Sequence, residues 1–209
     1  DVHGIAFDKD GFRTTGDLYP LTEEQLAAYP AELDFTKGLI DLQAAVDSDE
    51  AKATRERMQS LTREEYKPFV EKLGLYGNYT HGTHVAGIAV AGNPAARILN
   101  ARITFGYEII PEEPTLEEMI RGAEAVQDVV DYFKEAGVRV VNMSWGGNQA
   151  GIEYALEANG VGDDPEQRAE IARVLFDIRY NSLVEAMKSA PEILFIPAAG
   201  NSDQDVEFN

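Results

Sequence analysis

A chain of 209 residues, 44% of them apolar, is long enough for one folded domain with a hydrophobic core. The formal net charge of −19 argues against nucleic acid or an anionic membrane as the partner. The absence of cysteine excludes a cysteine nucleophile, a thiolate metal site and disulfides. Because the longest apolar runs have the length of strands and no basic-then-apolar leader opens the sequence, we expect no membrane segment in this chain.

Residues 12–78 predict helices rather than strands. Thr22 and Thr62 each stand three residues before a glutamine or glutamate, which is the pattern of a capping box. Two short amphipathic segments lie between them, and Pro68 is expected to break the helix that begins at Thr62. We interpret residues 12–78 as a mostly helical insertion packed on the sheet domain, with a separate small domain as the alternative.

Four short apolar segments predict buried strands, and we expect them to form one parallel sheet. The segments are residues 4–7, 96–104, 138–143 and 193–199. Amphipathic helices separate the last three, which is typical of a parallel sheet covered by helices on both faces. The predicted fold class is therefore α/β, with residues 1–209 forming one sheet domain that carries the helical insertion.

Two long helices are predicted between these strands. Thr115, with a glutamate three residues later, opens the first helix, and Gly137 ends it where a C-terminal glycine is expected. Asp164 and Pro165 open the second helix as its cap and its first-turn proline, and Pro191 stops it. Local capping and helix-terminating residues thus predict the boundaries of both helices.

Residues 108–131 are the most acidic part of the chain, with eight carboxylates opposed only by Arg121. A helix face exposed to solvent is the simpler interpretation, and a cation site is the alternative.

Residues 81–89, HGTHVAGIA, carry the strongest functional pattern. The segment predicts a loop that enters a helix, with His81 at its mouth and small residues that allow close packing. A histidine held there has little freedom, which suits a general base. We interpret His84 and His3 as structural. The spacing of His81 and His84 is not that of a zinc-protease helix, and no third ligand stands out, so no metal site is predicted.

The HGTHVAGIA segment resembles the histidine motif of the subtilases, the subtilisin-like serine proteases of peptidase family S8. Residues 141–147, VNMSWGG, resemble the strand end at which subtilases bind the substrate backbone. Residues 195–202, FIPAAGNS, resemble the strand end that supplies the oxyanion-hole asparagine. The three motifs stand in the family's order and together cover roughly residues 79–202. Residues 1–7, DVHGIAF, more weakly resemble a strand that follows the catalytic aspartate in some bacterial members.

The resemblance implies a subtilisin-like three-layer fold and a Ser-His-Asp endopeptidase that acts on peptides or proteins. His81 is then the expected general base, and Asn201 is the expected oxyanion-hole donor. The expected substrate-binding residues are Ser144, Trp145, Gly146 and Gly200. Functional groups gather beyond the carboxyl ends of strands in open α/β sheets, and glycines there leave room for an extended peptide. A tight turn after a strand, and an ordinary turn asparagine at position 201, are the alternatives.

Segments resembling the family's aspartate and serine motifs are not found in the sequence. Asp8 is the only candidate for the catalytic aspartate, but the Asp10-Gly11 pair beside it is typical of an ordinary turn. We therefore expect the catalytic Asp and Ser to lie outside these 209 residues, and this chain alone to be inactive. A non-catalytic peptide-binding or structural module on a subtilase scaffold is the alternative function.

No cofactor is expected for catalysis. The resemblance allows structural calcium, although no loop has recognisable calcium-ligand spacing. It also suggests export from a bacterial cell to the extracellular space or the cell envelope.

Overall fold

The computed structural model describes residues 4–16 and 19–200, and these residues belong to two compact units. The sheet unit contains the described residues of Asp1–Asp17, Arg97–Thr104 and Ile110–Asn209. The helical unit contains those of Leu18–Ala96 and Phe105–Ile109. Among the helices in the described ranges, none has the length and apolar composition that crossing a membrane requires. The predicted insertion over residues 12–78 stays a prediction.

The sheet unit holds five short strands, which form two small sheets. The strands are β1 (Gly4–Phe7), β2 (Arg13–Thr14), β3 (Asn100–Ile103), β4 (Val140–Met143) and β5 (Leu194–Pro197). Strand β1 pairs in parallel with β3 and antiparallel with β2, and β4 pairs in parallel with β5. Each predicted strand segment contains a strand. Strand β1 has the predicted bounds, β3, β4 and β5 are shorter than expected, and β2 was not predicted. The α/β class is confirmed, whereas a mostly parallel three-layer arrangement stays a prediction.

Three helices complete the sheet unit: α4 (Leu116–Glu135), α5 (Gln149–Ala158) and α6 (Pro165–Lys188). One apolar face of α4 packs on β1 and on the end of α6, as its spacing predicts. The buried cluster comprises Ile5, Phe7, Val129, Val130, Phe133, Ala186, Ala190 and Ile193.

Helix α4 ends at Glu135 and is terminated by Gly137, as predicted, and this termination directs the chain toward β4. Gly137 has a φ of +70°, which a glycine adopts without steric cost. Its N–H donates to the Lys134 carbonyl at 3.1 Å, and the Val138 N–H donates to the Phe133 carbonyl at 3.0 Å. These two bonds form a Schellman motif, which satisfies carbonyls that the helix leaves without partners.

The helical unit contains α1 (Glu23–Gln43), α2 (Asp49–Ser60) and α3 (Arg63–Ala89). The predicted capping boxes at Thr22 and Thr62 are both present. Helix α3 buries Leu73 and Tyr76 in this unit, and the Tyr76 hydroxyl donates to the Gln25 carbonyl of α1 at 2.8 Å. Burial raises the pKa of Tyr76, in keeping with a neutral phenol that holds α1 and α3 together.

Pro68 does not break its helix, so that prediction was wrong. Helix α3 continues through Pro68, and α1 continues through Pro30. A proline inside a helix costs about 3 kcal/mol. Burial of one large apolar side chain contributes about 1.5–3 kcal/mol, and α3 buries Phe69, Leu73 and Tyr76 just after the proline. Packing of this face therefore offsets the local cost.

The contact between α1 and α2 depends on Gly38, and this gives a test of the helical unit. A Cβ at position 38 would collide with the Glu50 carbonyl oxygen and the Thr54 hydroxyl. We expect Gly38→Ala to lower the free energy of unfolding by roughly 1–3 kcal/mol, as overpacking does. Gly122→Ala within α4 is the matched control, because its Cβ would meet no atom within 4 Å. It should instead raise stability by about 0.5–1 kcal/mol. Urea unfolding measures both, and equal effects would contradict the packing argument.

The capping boxes of α1 and α3 predict different responses to acid. A Glu65 carboxylate oxygen accepts the Thr62 N–H at 2.9 Å, and this bond holds the pKa of Glu65 below its usual value. The stabilisation is therefore complete above the unfolded pKa and is lost as pH falls through the folded one. Gln25 makes the same bond to Thr22 at 2.8 Å without titrating. Below about pH 4, the Thr62 amide should exchange faster with solvent while the Thr22 amide is unaffected.

Amide hydrogen exchange followed by NMR measures both sites in one sample. Glu65→Gln should remove the acid sensitivity at Thr62. An equal acid response at Thr22 and Thr62 would show that the carboxylate is not its cause.

Candidate functional site

His81 lies inside α3, not at its mouth, so the expected entry from a loop was wrong. The helix reaches His81 without interruption because the preceding residues, including Leu73 and Tyr76, supply a buried apolar face. The Thr80 hydroxyl also donates within the same helix, to the carbonyl oxygens of Tyr76 and Gly77 at 3.0 and 3.1 Å. His81 thus stands on a regular helix that is anchored through its N-terminal half.

The end of α3 that carries the histidines is open to solvent. His81 and His84 are both exposed, and Cβ atoms added at Gly82 or Gly87 would meet no atom within 4 Å. Residues three apart on a helix share one side, so both imidazoles lie on one face. His84, which we interpreted as structural, is thus exposed like His81.

The expected substrate-binding residues of the sheet unit follow the carboxyl ends of two paired strands. Met143 of β4 lies opposite Pro197 of β5, and the Ala198 N–H donates to the Met143 carbonyl at 2.9 Å. Because the strands are parallel, Ser144–Gly146 and Gly200 both continue from the same end of the pair. The pairing thus places these two segments at one end of the sheet.

The Ser144–Gly146 segment has an open side. Ser144 and Trp145 are half-buried, whereas Gly146 is exposed. Cβ atoms added at Gly146 or Gly147 would meet nothing within 4 Å. Asn148 then caps α5 by accepting the Gly151 N–H at 2.8 Å, which turns the chain away from the edge. An extended peptide would find space along this segment.

Asn142 is a residue of this site that the sequence did not single out. It lies inside the VNMSWGG motif, yet no role was assigned to it. Its side-chain amide donates to the Ser144 hydroxyl oxygen at 2.8 Å. The available signal was the spacing of two residues at the end of β4, which puts both side chains on one side of the extended chain.

Gly200 has a φ of +89°, a left-handed conformation that favours glycine, and it is exposed. Asn201, the expected oxyanion-hole donor, lies outside the described residues, as do Asp1, Val2 and His3. Its proximity to His81 stays a prediction.

Asp8 closes the turn between β1 and β2. One carboxylate oxygen accepts the backbone N–H groups of Asp10 and Phe12 at 3.0 and 2.8 Å, and Gly11 has a φ of +83°. These contacts support the interpretation of Asp8 as a turn residue.

Two carboxylates of the acidic region, Glu112 and Glu118, lie with that of Asp10 within 4.8 Å of one another. Both Glu112 oxygens accept from the Lys9 ammonium, at 2.6 and 2.7 Å, and a Glu118 oxygen accepts the Thr115 N–H at 2.9 Å. The Lys9 ammonium also lies 3.4 Å from an Asp10 carboxylate oxygen, so ion pairs and a helix cap account for the positions of all three carboxylates.

Comparison with protein-family models identifies the family of this chain. The model of the subtilase family, peptidase family S8, matches residues 33–208, which include His81, Ser144 and Asn201. Comparisons with curated proteins and with solved structures gave no significant match. Since the family match extends over most of the sequence, this chain belongs to the subtilase family.

Proposed function

We propose that this chain supplies the general base and the oxyanion donor of a serine endopeptidase. The remaining members of its Ser-His-Asp triad, the Asp and the Ser, lie outside these 209 residues. The observation that carries this proposal is the parallel pairing of β4 and β5 in a subtilase-family chain. It places Ser144–Gly146 and Gly200, which immediately precedes Asn201, at the same end of two neighbouring strands.

In the proposed mechanism, a peptide substrate lies along Ser144–Gly146 as an added strand. Main-chain hydrogen bonds give affinity in this mode, and the open space at Gly146 and Gly147 admits the peptide backbone. The Asn201 amide donates to the oxygen of the scissile carbonyl as negative charge develops on it. Substrates are then peptides or proteins.

His81 takes the proton from the serine hydroxyl as that oxygen attacks the carbonyl carbon, and it returns the proton to the leaving amine. The carboxylate of the aspartate fixes the tautomer of His81 and stabilises the imidazolium. These steps require no cofactor. We further propose that the enzyme acts outside the bacterial cell or in its envelope.

The two histidines of α3 provide a direct test in the full-length protein. His81→Ala should lower kcat by a factor on the order of 10⁶, because the serine loses its base. His84→Ala is the matched control on the same exposed helix face, and kcat should stay close to that of the wild type. Hydrolysis of a generic peptide substrate measures both variants. Activity that depends on His84 instead would reverse the assignment, whereas peptide binding without hydrolysis would indicate a non-catalytic module.

The role of Asn201 is separable from that of His81. Asn201→Ala should lower kcat roughly 10²–10³-fold with little change in KM, the range known for loss of the oxyanion-hole asparagine in subtilisin. Asn148→Ala serves as the control, because loss of this helix cap should cost about 1 kcal/mol of stability. It should leave kcat unchanged. A change in KM alone for Asn201→Ala would mean that the amide binds substrate only in its ground state.

A further inference from the structure

The side chains of Asn142, in β4, and Ser144, just after β4, lie on one side of the chain where the proposed peptide edge begins. Side chains alternate between the two faces of a strand, so residues two apart share a face. Met143 between them is buried, whereas Asn142 is exposed and Ser144 is half-buried. This alternation brings the Asn142 amide nitrogen to 2.8 Å from the Ser144 hydroxyl oxygen.

The direction of this hydrogen bond determines what the Ser144 hydroxyl can do next. An amide NH₂ group can only donate, whereas a hydroxyl has one hydrogen and two lone pairs. Asn142 therefore occupies a lone pair of the Ser144 oxygen and leaves its hydrogen for a different acceptor. Within residues 4–16 and 19–200, Ser144 makes no other side-chain hydrogen bond. Gly146 and Gly147 leave the adjacent edge open for such an acceptor.

We propose that Asn142 is a positioning residue for substrate binding. By donating to Ser144, it keeps the serine hydroxyl as a donor toward a main-chain carbonyl of a peptide lying along Ser144–Gly146. This inference rests on the proposed endopeptidase function and adds a backbone-directed contact to its substrate edge. Because every peptide unit has a carbonyl, the contact recognises peptides without regard to their side chains.

The test is steady-state kinetics of the full-length enzyme with Asn142→Asp, Asn142→Ala and Ser144→Ala. An aspartate has nearly the shape of asparagine, but its carboxylate accepts, so the serine hydroxyl would turn toward it and away from the substrate. Asn142→Asp should therefore raise KM to the same extent as Ser144→Ala, roughly three- to tenfold for one neutral hydrogen bond. The value of kcat should not change, because the contact is made equally in the ground and transition states.

The order of effects separates positioning from a purely structural role. Asn142→Ala should raise KM less than Asn142→Asp, since the freed hydroxyl can still donate to the peptide. Asn142→Asp combined with Ser144→Ala should be no worse than Ser144→Ala alone. Asn148→Asp controls for the added negative charge, because aspartate and asparagine cap helices equally well. Its KM should equal that of the wild type.

Three results would overturn the inference while leaving the proposed function intact. One is an unchanged KM for Asn142→Asp in an enzyme whose hydrolysis depends on His81. The others are a larger effect of alanine than of aspartate at position 142, and an equal rise of KM in Asn148→Asp. Absence of His81-dependent hydrolysis in the wild-type full-length protein would instead overturn the proposed function, and the inference with it.

Discussion

The parallel pairing of β4 with β5 is the constraint on which the proposed peptide edge depends. In a parallel pair, both chains leave the sheet in the same direction, so whatever follows Met143 must emerge beside whatever follows Pro197. The bond from the Ala198 N–H to the Met143 carbonyl extends this pairing one step beyond β5. A shift of one residue in this register would turn the Asn142 and Ser144 side chains to the opposite face. The position of both side chains therefore depends on the register of β4 and β5.

Elements remote from the edge maintain this register. The Schellman motif at Gly137 determines where α4 ends and where the chain begins its approach to β4. On the other strand, Ala186, Ala190 and Ile193 join the buried cluster with β1 and α4, which holds the approach to β5. Hydrogen bonds thus hold the approach to β4 and buried contacts hold the approach to β5, and both lie behind the open segment that follows β4. The segment that follows β4 is open to solvent, whereas the residues that lead into β5 are part of the buried cluster.

Features decided by neighbouring residues were predictable from the sequence. The caps at Thr22, Thr62, Thr115 and Asp164 are bonds between residues three apart, and all four are present. The termination of α4 by Gly137 is likewise a local feature. Features decided by packing were not predictable: Pro68 is tolerated because α3 buries a face beyond it, and His81 lies within the helix for the same reason. Helix α5 was also missed, since its sequence has neither a capping box nor acidic residues in its first turn.

The candidate site shows the same division between local and distant determinants. Its motifs identified Ser144, Trp145, Gly146 and Gly200 as residues at strand ends, which is a property of local sequence. The polarity of the bond between Asn142 and Ser144 could not be deduced in that way, because asparagine both donates and accepts. Only the geometry shows the amide nitrogen directed at the serine oxygen. Because the amide donates to the Ser144 oxygen, the Ser144 hydroxyl is left to donate its own hydrogen. A peptide carbonyl oxygen can accept that hydrogen. In the proposed binding mode, main-chain groups and one oriented hydroxyl contact groups that every peptide carries, irrespective of its sequence.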